Sequence, residues 1–311
     1  MQYRNLGHAG LKVSAIGLGT NQFGGKVDQQ AVNDILAVAL DAGINFIDTA
    51  NVYQKGRSEE TIGQAMQSRR RAYLIATKFR SRTGDGPNEQ GTSRHHIMEA
   101  VHASLRRLDT DYIDLYQVHS WDAETPLEET MRALDDLLRA GKVRYIGASN
   151  FEAWQIARAN DLAEMRGWTQ FVSIQPHYHM FERKIEEELI PACRYFNIGV
   201  LPYFPLAGGF LTGKYRRGEP APTGSRGETS PYVQRHMTEA NYDKLEKLIP
   251  FAETRDHTIN ELAHAWLLAQ PQISSVISGA TKVEHVLTNA KAGDWVLSEE
   301  EEKEIRGILE E

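Results

Sequence analysis

"INFIDTANVYQKGRSEETIG", residues 44–63, carries an apolar run that ends on an acid, Asp48, with a tyrosine, Tyr53, five residues further on. Taken alone, the acid is turn punctuation, since Asp is a common loop residue. Its meaning depends on how the other apolar runs end. These are "AIGLGT" 15–20, "YLIATK" 73–78, "IDLYQVH" 113–119, "RYIGAS" 144–149, "FVSIQ" 171–175, "GVLPYF" 199–204 and "SSVISG" 274–279. With "NFIDT" 45–49 they make eight. Each is followed by a stretch of helical periodicity, as in "QQAVNDILAVALDAG" and "EETMRALDDLLRAGK", where apolar residues recur at three and four and Gly marks the stop.

Several runs are apolar on consecutive residues, the pattern of parallel strands buried on both faces. Eight such units without a linker or a close repeat predict a (β/α)8 barrel rather than an open doubly wound sheet, with residues 1–311 as a single domain. A hairpin over residues 2–6 and 11–14, turned by "GHAG", is expected before the barrel. An extra C-terminal helix, "SEEEEKEIRGILEE", is expected after it, with Ser298 as N-cap.

Composition bounds the function. The chain of 311 residues is 41% hydrophobic and 25% charged, the profile of a soluble globular protein. A net charge of −7 and a pI near 5.9 give no electrostatic footprint for nucleic acid. The basic "SRRR" at 68–71 reads as a solvated helix end. The lone Cys193 excludes a disulfide within the chain and reads as packing. No signal-like or membrane-length apolar run occurs, so a cytoplasmic location is expected.

Under the barrel reading the polar strand ends share one rim: Asp48, Lys78, His119, Ser149 with Asn150, Gln175, Tyr203 and "SGATK". Any one of these is explained by a hydrogen-bonded rim residue or a snorkelling lysine; seven together point to a shared site. Two long connections, 79–93 and 205–233, leave the same rim, and loops of that length in a compact domain are usually functional. A phenol has an ordinary pKa near ~10, too high for a good acid at neutral pH. An ammonium beside it lowers that value, and a carboxylate keeps the ammonium charged and fixed. Tyr53, Lys78 and Asp48 supply those parts, and His119 can position a carbonyl oxygen or share its proton. The set suits protonating an oxygen while something else attacks the carbon.

"DTANVYQKGRSEETIG", "IATK", "DYIDLYQVH", "GKVRYIGASNF" and "FPLAGGFLTGKY" together resemble the aldo-keto reductases, from "YRNLG" to "GATKVEHVLTNA". The resemblance implies a barrel that binds a nicotinamide dinucleotide in extended form without a Rossmann domain. It implies Tyr53 as general acid, Lys78 and Asp48 as its tuners, and His119 as the substrate orienter. Ser149, Asn150 and Gln175 would bind the nicotinamide carboxamide, and Tyr203 would stack on its ring. Gly19, Thr20 and Asn21 lie on the nicotinamide ribose side. Phe204, Leu206, Gly208, Lys214 and Arg226 belong to the loop over the pyrophosphate. Gly279, Thr281, Lys282, His285 and Asn289 occupy the adenosine end.

Three positions depart from the family pattern. Phe204 stands where "YSPL" would put Ser, His285 where many members have Arg or Gln, and Thr288 where Glu is usual. NADP(H) is the expected cofactor, with Lys282 meeting the 2′-phosphate beside Arg226 or His285; NAD(H) stays open. Phe23, Phe79 and Trp121, with Tyr53 and Phe204, are expected to line an aromatic pocket. That pocket would take small or aromatic aldehydes and ketones as the small-molecule partner, with neither nucleic acid nor membrane implied.

Other motifs fail their tests. "GLGTNQFGG" puts Gln22 where a dinucleotide fingerprint needs its third Gly, and "GGFLTGKY" puts Tyr215 where a P-loop needs Ser or Thr. "HYH" at 177–179 offers two imidazoles on one side of an extended segment without an evident third metal ligand. "YRNLG", "GLKVS" and "GKYRRG" also resemble the β subunits of voltage-gated potassium channels, which use this barrel as a cofactor-sensing partner. With no long N-terminal extension in this sequence, an enzyme is expected over a regulatory subunit.

Overall fold

Eight short strands run parallel around one sheet in a computed structural model that describes residues 1–311. An antiparallel hairpin comes first, β1 (Tyr3–Asn5) with β2 (Lys12–Ser14). The barrel strands are β3 (Ile16–Gly19), β4 (Phe46–Asp48), β5 (Leu74–Phe79), β6 (Ile113–Val118), β7 (Val143–Ser149), β8 (Ser173–Gln175), β9 (Gly199–Val200) and β10 (Val276–Gly279). Their spatial order is β10-β3-β4-β5-β6-β7-β8-β9, and parallel bridges Val200↔Ile273 and Tyr203↔Ile277 close the ring. The chain is a (β/α)8 barrel.

Helices α1 (Gln29–Asp41), α2 (Arg57–Met66), α3 (Arg94–Arg107), α4 (Leu127–Arg139), α5 (Ala153–Arg166) and α6 (Leu189–Tyr195) alternate with the strands. The 205–233 connection is not a plain loop. It holds a 3-10 segment, Ala207–Thr212, and two one-turn helices, α7 (Arg226–Thr229) and α8 (Pro231–Gln234). Helices α9 (Glu239–Glu253) and α10 (Ile259–Ala269) follow, then α11 (Val283–Ala292) after β10, and α12 (Glu299–Glu310), which packs on α9. Ser298 caps α12 as expected: its Oγ accepts from Glu301 N, while Glu301 accepts from Ser298 N.

Two cores divide the work. Phe46, Ala76, Leu115, Leu201 and Ile277 fill the barrel interior with Leu6, Ala9 and Val13 of the hairpin, which plugs the end where the strands begin. A larger apolar layer lies between the sheet and the helices. At Gly7 (φ 57°) a Cβ would stand 2.3 Å from Val172 O, so only glycine lets the hairpin turn sit this close to the strands. With that end closed, ligands are left the opposite one, where the polar strand ends are. The strand at 199–204 is shorter than expected because Pro202 has no N–H to give a ladder; Tyr203 is held by isolated bridges instead.

Candidate active site

Register brings the strand ends together. Gly279 pairs with Gly19, Gly19 with Asp48, Lys78 with Gln117, and Ser149 with Gln175. Asp48, at the end of β4, accepts Lys78 Nζ on both oxygens, at 2.8 and 2.7 Å. Its Oδ1 also accepts Gln175 Nε2 at 2.8 Å and Gln117 Nε2 at 3.3 Å. Lys78 donates further to Thr49 O at 2.9 Å and lies 3.4 Å from the Tyr53 hydroxyl. Both members of the ion pair are buried, and every N–H of the ammonium has an acceptor.

Tyr53 opens a 3-10 turn, Tyr53–Gly56, in which Gln54 and Lys55 adopt left-handed conformations (φ 50° and 59°). Gln54 Nε2 anchors the turn on Asn21 O at 2.9 Å. Thr20 and Thr49 share the Ser58 hydroxyl beneath it, at 3.1 and 2.9 Å, tying β3, β4 and α2 into one frame. The Tyr53 and His119 rings meet edge to face at 6.0 Å.

Electrostatics set the protonation states. Burial works against the Lys78 ammonium, but Asp48 and Tyr53 outweigh it, and its pKa lies above the ordinary lysine value. Burial raises the Tyr53 phenol, with Lys78 pulling down and Asp48 pushing up. The expected net lowering by Lys78 is therefore not found: desolvation of the phenolate is the larger effect here. Burial, then the charges of Lys78 and Arg80, bring His119 down to about 3, so its imidazole is neutral at physiological pH. A neutral imidazole and a protonated phenol are both donors for one carbonyl oxygen.

These groups open into a cavity of about 860 Å³ that runs along the rim. Every residue expected at the cofactor lines it except Lys282, which is exposed as the residue preceding α11. At the near end Ser149 Oγ donates to Gln175 O (2.8 Å), and the Asn150 amide donates to His119 O (3.0 Å) and accepts the Tyr203 hydroxyl (2.9 Å). One face of Tyr203 is covered by His177, stacked at 5.3 Å and 17°, which leaves the other for a planar ring. At the far end Lys214 and Arg226 bring positive charge, and His285 Nδ1 lies 3.4 Å from Thr281 N. Burial and the neighbouring lysines Lys282 and Lys214 lower the His285 pKa.

The aromatic pocket is not formed as expected. Phe23 and Phe79 are fully buried in the outer core, and Phe79 stacks on Tyr116 at 4.7 Å. Side chains alternate along a strand, so Lys78 turned inward puts Phe79 outward. Trp121 is half-buried against Phe151 and Trp154 and does not line the cavity. Ser278, the first residue of "SGATK", lines it as well, and so do Lys26 and Asn260, which were not expected there. Asn260 sits in a helix start that sequence marks only by its Thr258–Glu261 capping box.

The 177–179 histidines meet a third, His236, whose ring lies 5.0 Å from His179. Tyr232 joins them, its hydroxyl hydrogen-bonded to His177 Nε2 and 3.5 Å from His179 Nε2. No group of three or more His, Cys, Asp or Glu has the geometry to hold a metal ion. Nor is any helix long and apolar enough to cross a membrane.

Comparison with known proteins agrees with this architecture. A sequence profile of the Aldo/keto reductase family matches residues 15–310. The chain is 41% identical over 304 residues to a "Probable voltage-gated potassium channel subunit beta" of Arabidopsis thaliana, covering 95% of this chain and 92% of that one. It is 39% identical, with the same coverage, to a protein of that description from Oryza sativa subsp. japonica. An "Uncharacterized oxidoreductase YrpG" of Bacillus subtilis (strain 168) is 37% identical over 96% of this chain and 93% of its own. With a match over nearly its whole length, the chain belongs to the aldo/keto reductase family.

Proposed function

We propose that the protein is an NADP(H)-dependent reductase of aldehydes and ketones, with Tyr53 as the proton donor. One observation carries the reading: a phenol, a charged lysine and a neutral histidine, braced by a buried carboxylate, meet at the end of a cavity with basic residues at its other end. A nicotinamide dinucleotide bound there supplies the hydride.

The lining residues fit such a group. Tyr203 has one free face, backed by His177, and Asn260 carries a buried Oδ1 without a protein partner. Ser149, Asn150 and Gln175 would orient the carboxamide, and Lys214 and Arg226 would meet the phosphates. The open face of Tyr203 fixes which side of the ring it covers. His119, neutral, donates to the carbonyl oxygen and holds it beside Tyr53. The Tyr53 hydroxyl then gives its proton to that oxygen as negative charge develops, and Lys78, held charged by Asp48, stabilises the phenolate left behind. Carbonyl-dependent oxidation of NADPH and NADH over a small aldehyde panel tests this. Turnover faster with NADPH is the expected result.

A second reading draws on the two plant relatives: a subunit that binds the cofactor and senses it with little turnover. Tight cofactor binding with negligible oxidation on every carbonyl would favour it over the reductase.

A further inference from the structure

Behind the Tyr203 ring stands a group of side chains that the proposed chemistry does not use. Tyr203 itself is held at two points: its main chain bridges to His177 and Ile277, and its hydroxyl donates to Asn150 Oδ1 at 2.9 Å. The hydroxyl lies on the long axis of the ring, so its hydrogen bond does not stop the ring from tilting about that axis. The torsion that governs the tilt is soft, and only a group packed on a face fixes it. That group is His177, which stacks at 5.3 Å and 17° and stands outside the cavity that Tyr203 lines.

His177 is fixed in turn, and the donors available set the direction of each hydrogen bond. Phe181 N donates to His179 Nδ1 at 3.2 Å, so neutral His179 carries its proton on Nε2. That Nε2 lies 3.5 Å from the Tyr232 hydroxyl oxygen, which accepts from it and gives its own proton to His177 Nε2. The His177 proton is left on Nδ1, the nitrogen 3.9 Å from Glu182 Oε2. The chain needs neutral imidazoles, and burial, the largest cause at both, brings His177 down to about 4 and His179 to about 2. Tyr232 belongs to α8, at the end of the 205–233 connection, and its ring packs at 4.8 Å on Phe204 of the cavity wall. On the other side of Tyr203, Asn150 carries the contacts on to His119 O at 3.0 Å. We propose that His177 is a positioning residue: tethered by the Tyr232 hydroxyl, its ring sets the tilt of Tyr203, and with it the plane in which a nicotinamide on the open face meets the carbonyl held by Tyr53 and His119. The proposal rests on the reductase reading and gives α8 a part in it.

Three variants separate the ring from its tether. His177→Ala removes the backing of Tyr203 and should slow single-turnover aldehyde reduction by about 10- to 100-fold, while the Kd for NADPH rises by no more than about tenfold. His177→Phe keeps a ring against Tyr203, and Tyr232→Phe keeps both rings. Each loses only the tether, so each should stay within about fivefold of the wild-type rate, and the double variant should be no slower than either. A His177→Ala rate equal to that of wild type or of His177→Phe overturns the assignment. So does a double variant whose loss is the product of the two single losses, and this cycle decides alone where His177→Ala does not fold. If wild type binds NADPH but turns over no carbonyl, the reductase reading fails. Binding then still decides on His177: a Kd for NADPH about threefold or more higher in His177→Ala than in His177→Phe supports it, and equal values overturn it.

Discussion

At the Asp48 end of the groove, polar atoms are fixed by strand register and by one buried ion pair; between Phe204 and His236, at its other wall, the chain is held by stacked rings. Phe204, Ala207, Gly208, Gly209 and Gly213 all take positive φ there. At Gly208 a Cβ would stand 2.7 Å from Val233, so the wall closes only with glycine in place. Tyr232 is its hub, hydrogen-bonded to His177 and packed on Phe204 at 4.8 Å and under Arg235 at 4.4 Å. The first wall comes from strand ends that the barrel cannot move separately. The second rests on packed rings rather than on strand register, which suits a groove that must admit and release an extended ligand.

Replacing Lys78 with Met strikes the first wall hardest. It leaves the Asp48 carboxylate buried without its counter-charge, at an expected cost of about 3–5 kcal/mol, read by urea denaturation. A loss below ~1 kcal/mol would mean that the pair does not organise the strand ends.

Acid sharpens the comparison next. Burial lowers His119 to about 3, His179 to about 2 and His264 to about 4, against an unfolded value near ~6.5. Because the folded values lie below the unfolded one, the unfolded chain binds more protons in between. Stability is complete above pH ~6.5 and is lost as pH falls below it, by up to about 1.4 kcal/mol per pH unit for each histidine that stays neutral. Thermal melts at pH 7 and pH 5 should show a clear drop, and an unchanged Tm would contradict the buried neutral imidazoles.

Tyr232→Phe touches only the second wall. It removes the hydroxyl that His177 shares and should cost about 1 kcal/mol, with cofactor dissociation faster by stopped-flow fluorescence. Unchanged dissociation would separate this wall from ligand release.

The same contrast explains what the sequence could convey. Asp48, Lys78, His119, Ser149 and Gln175 each close an apolar run, and a barrel puts all such ends on one rim, so their meeting is legible in the sequence. Strand parity by itself puts Phe79 outside the barrel, because the residue after an inward lysine points out, where it stacks on Tyr116. Nothing in the spacing links His236 to 177–179, because their meeting depends on how α8 folds back over His177. The net rise of the Tyr53 pKa was also hidden, since it depends on how deeply the phenol is buried. Pattern reports which atoms face the rim, while desolvation and chain return are properties of the folded volume.

The most direct test of the account is Tyr53→Phe, which keeps the ring and removes the donor. Measured beside wild type, the variant should bind NADPH with a Kd unchanged within about twofold and lose about 10²–10⁴ in the single-turnover rate of aldehyde reduction. A variant that reduces aldehydes at the wild-type rate would show that the proton comes from elsewhere, and the central assignment would fall.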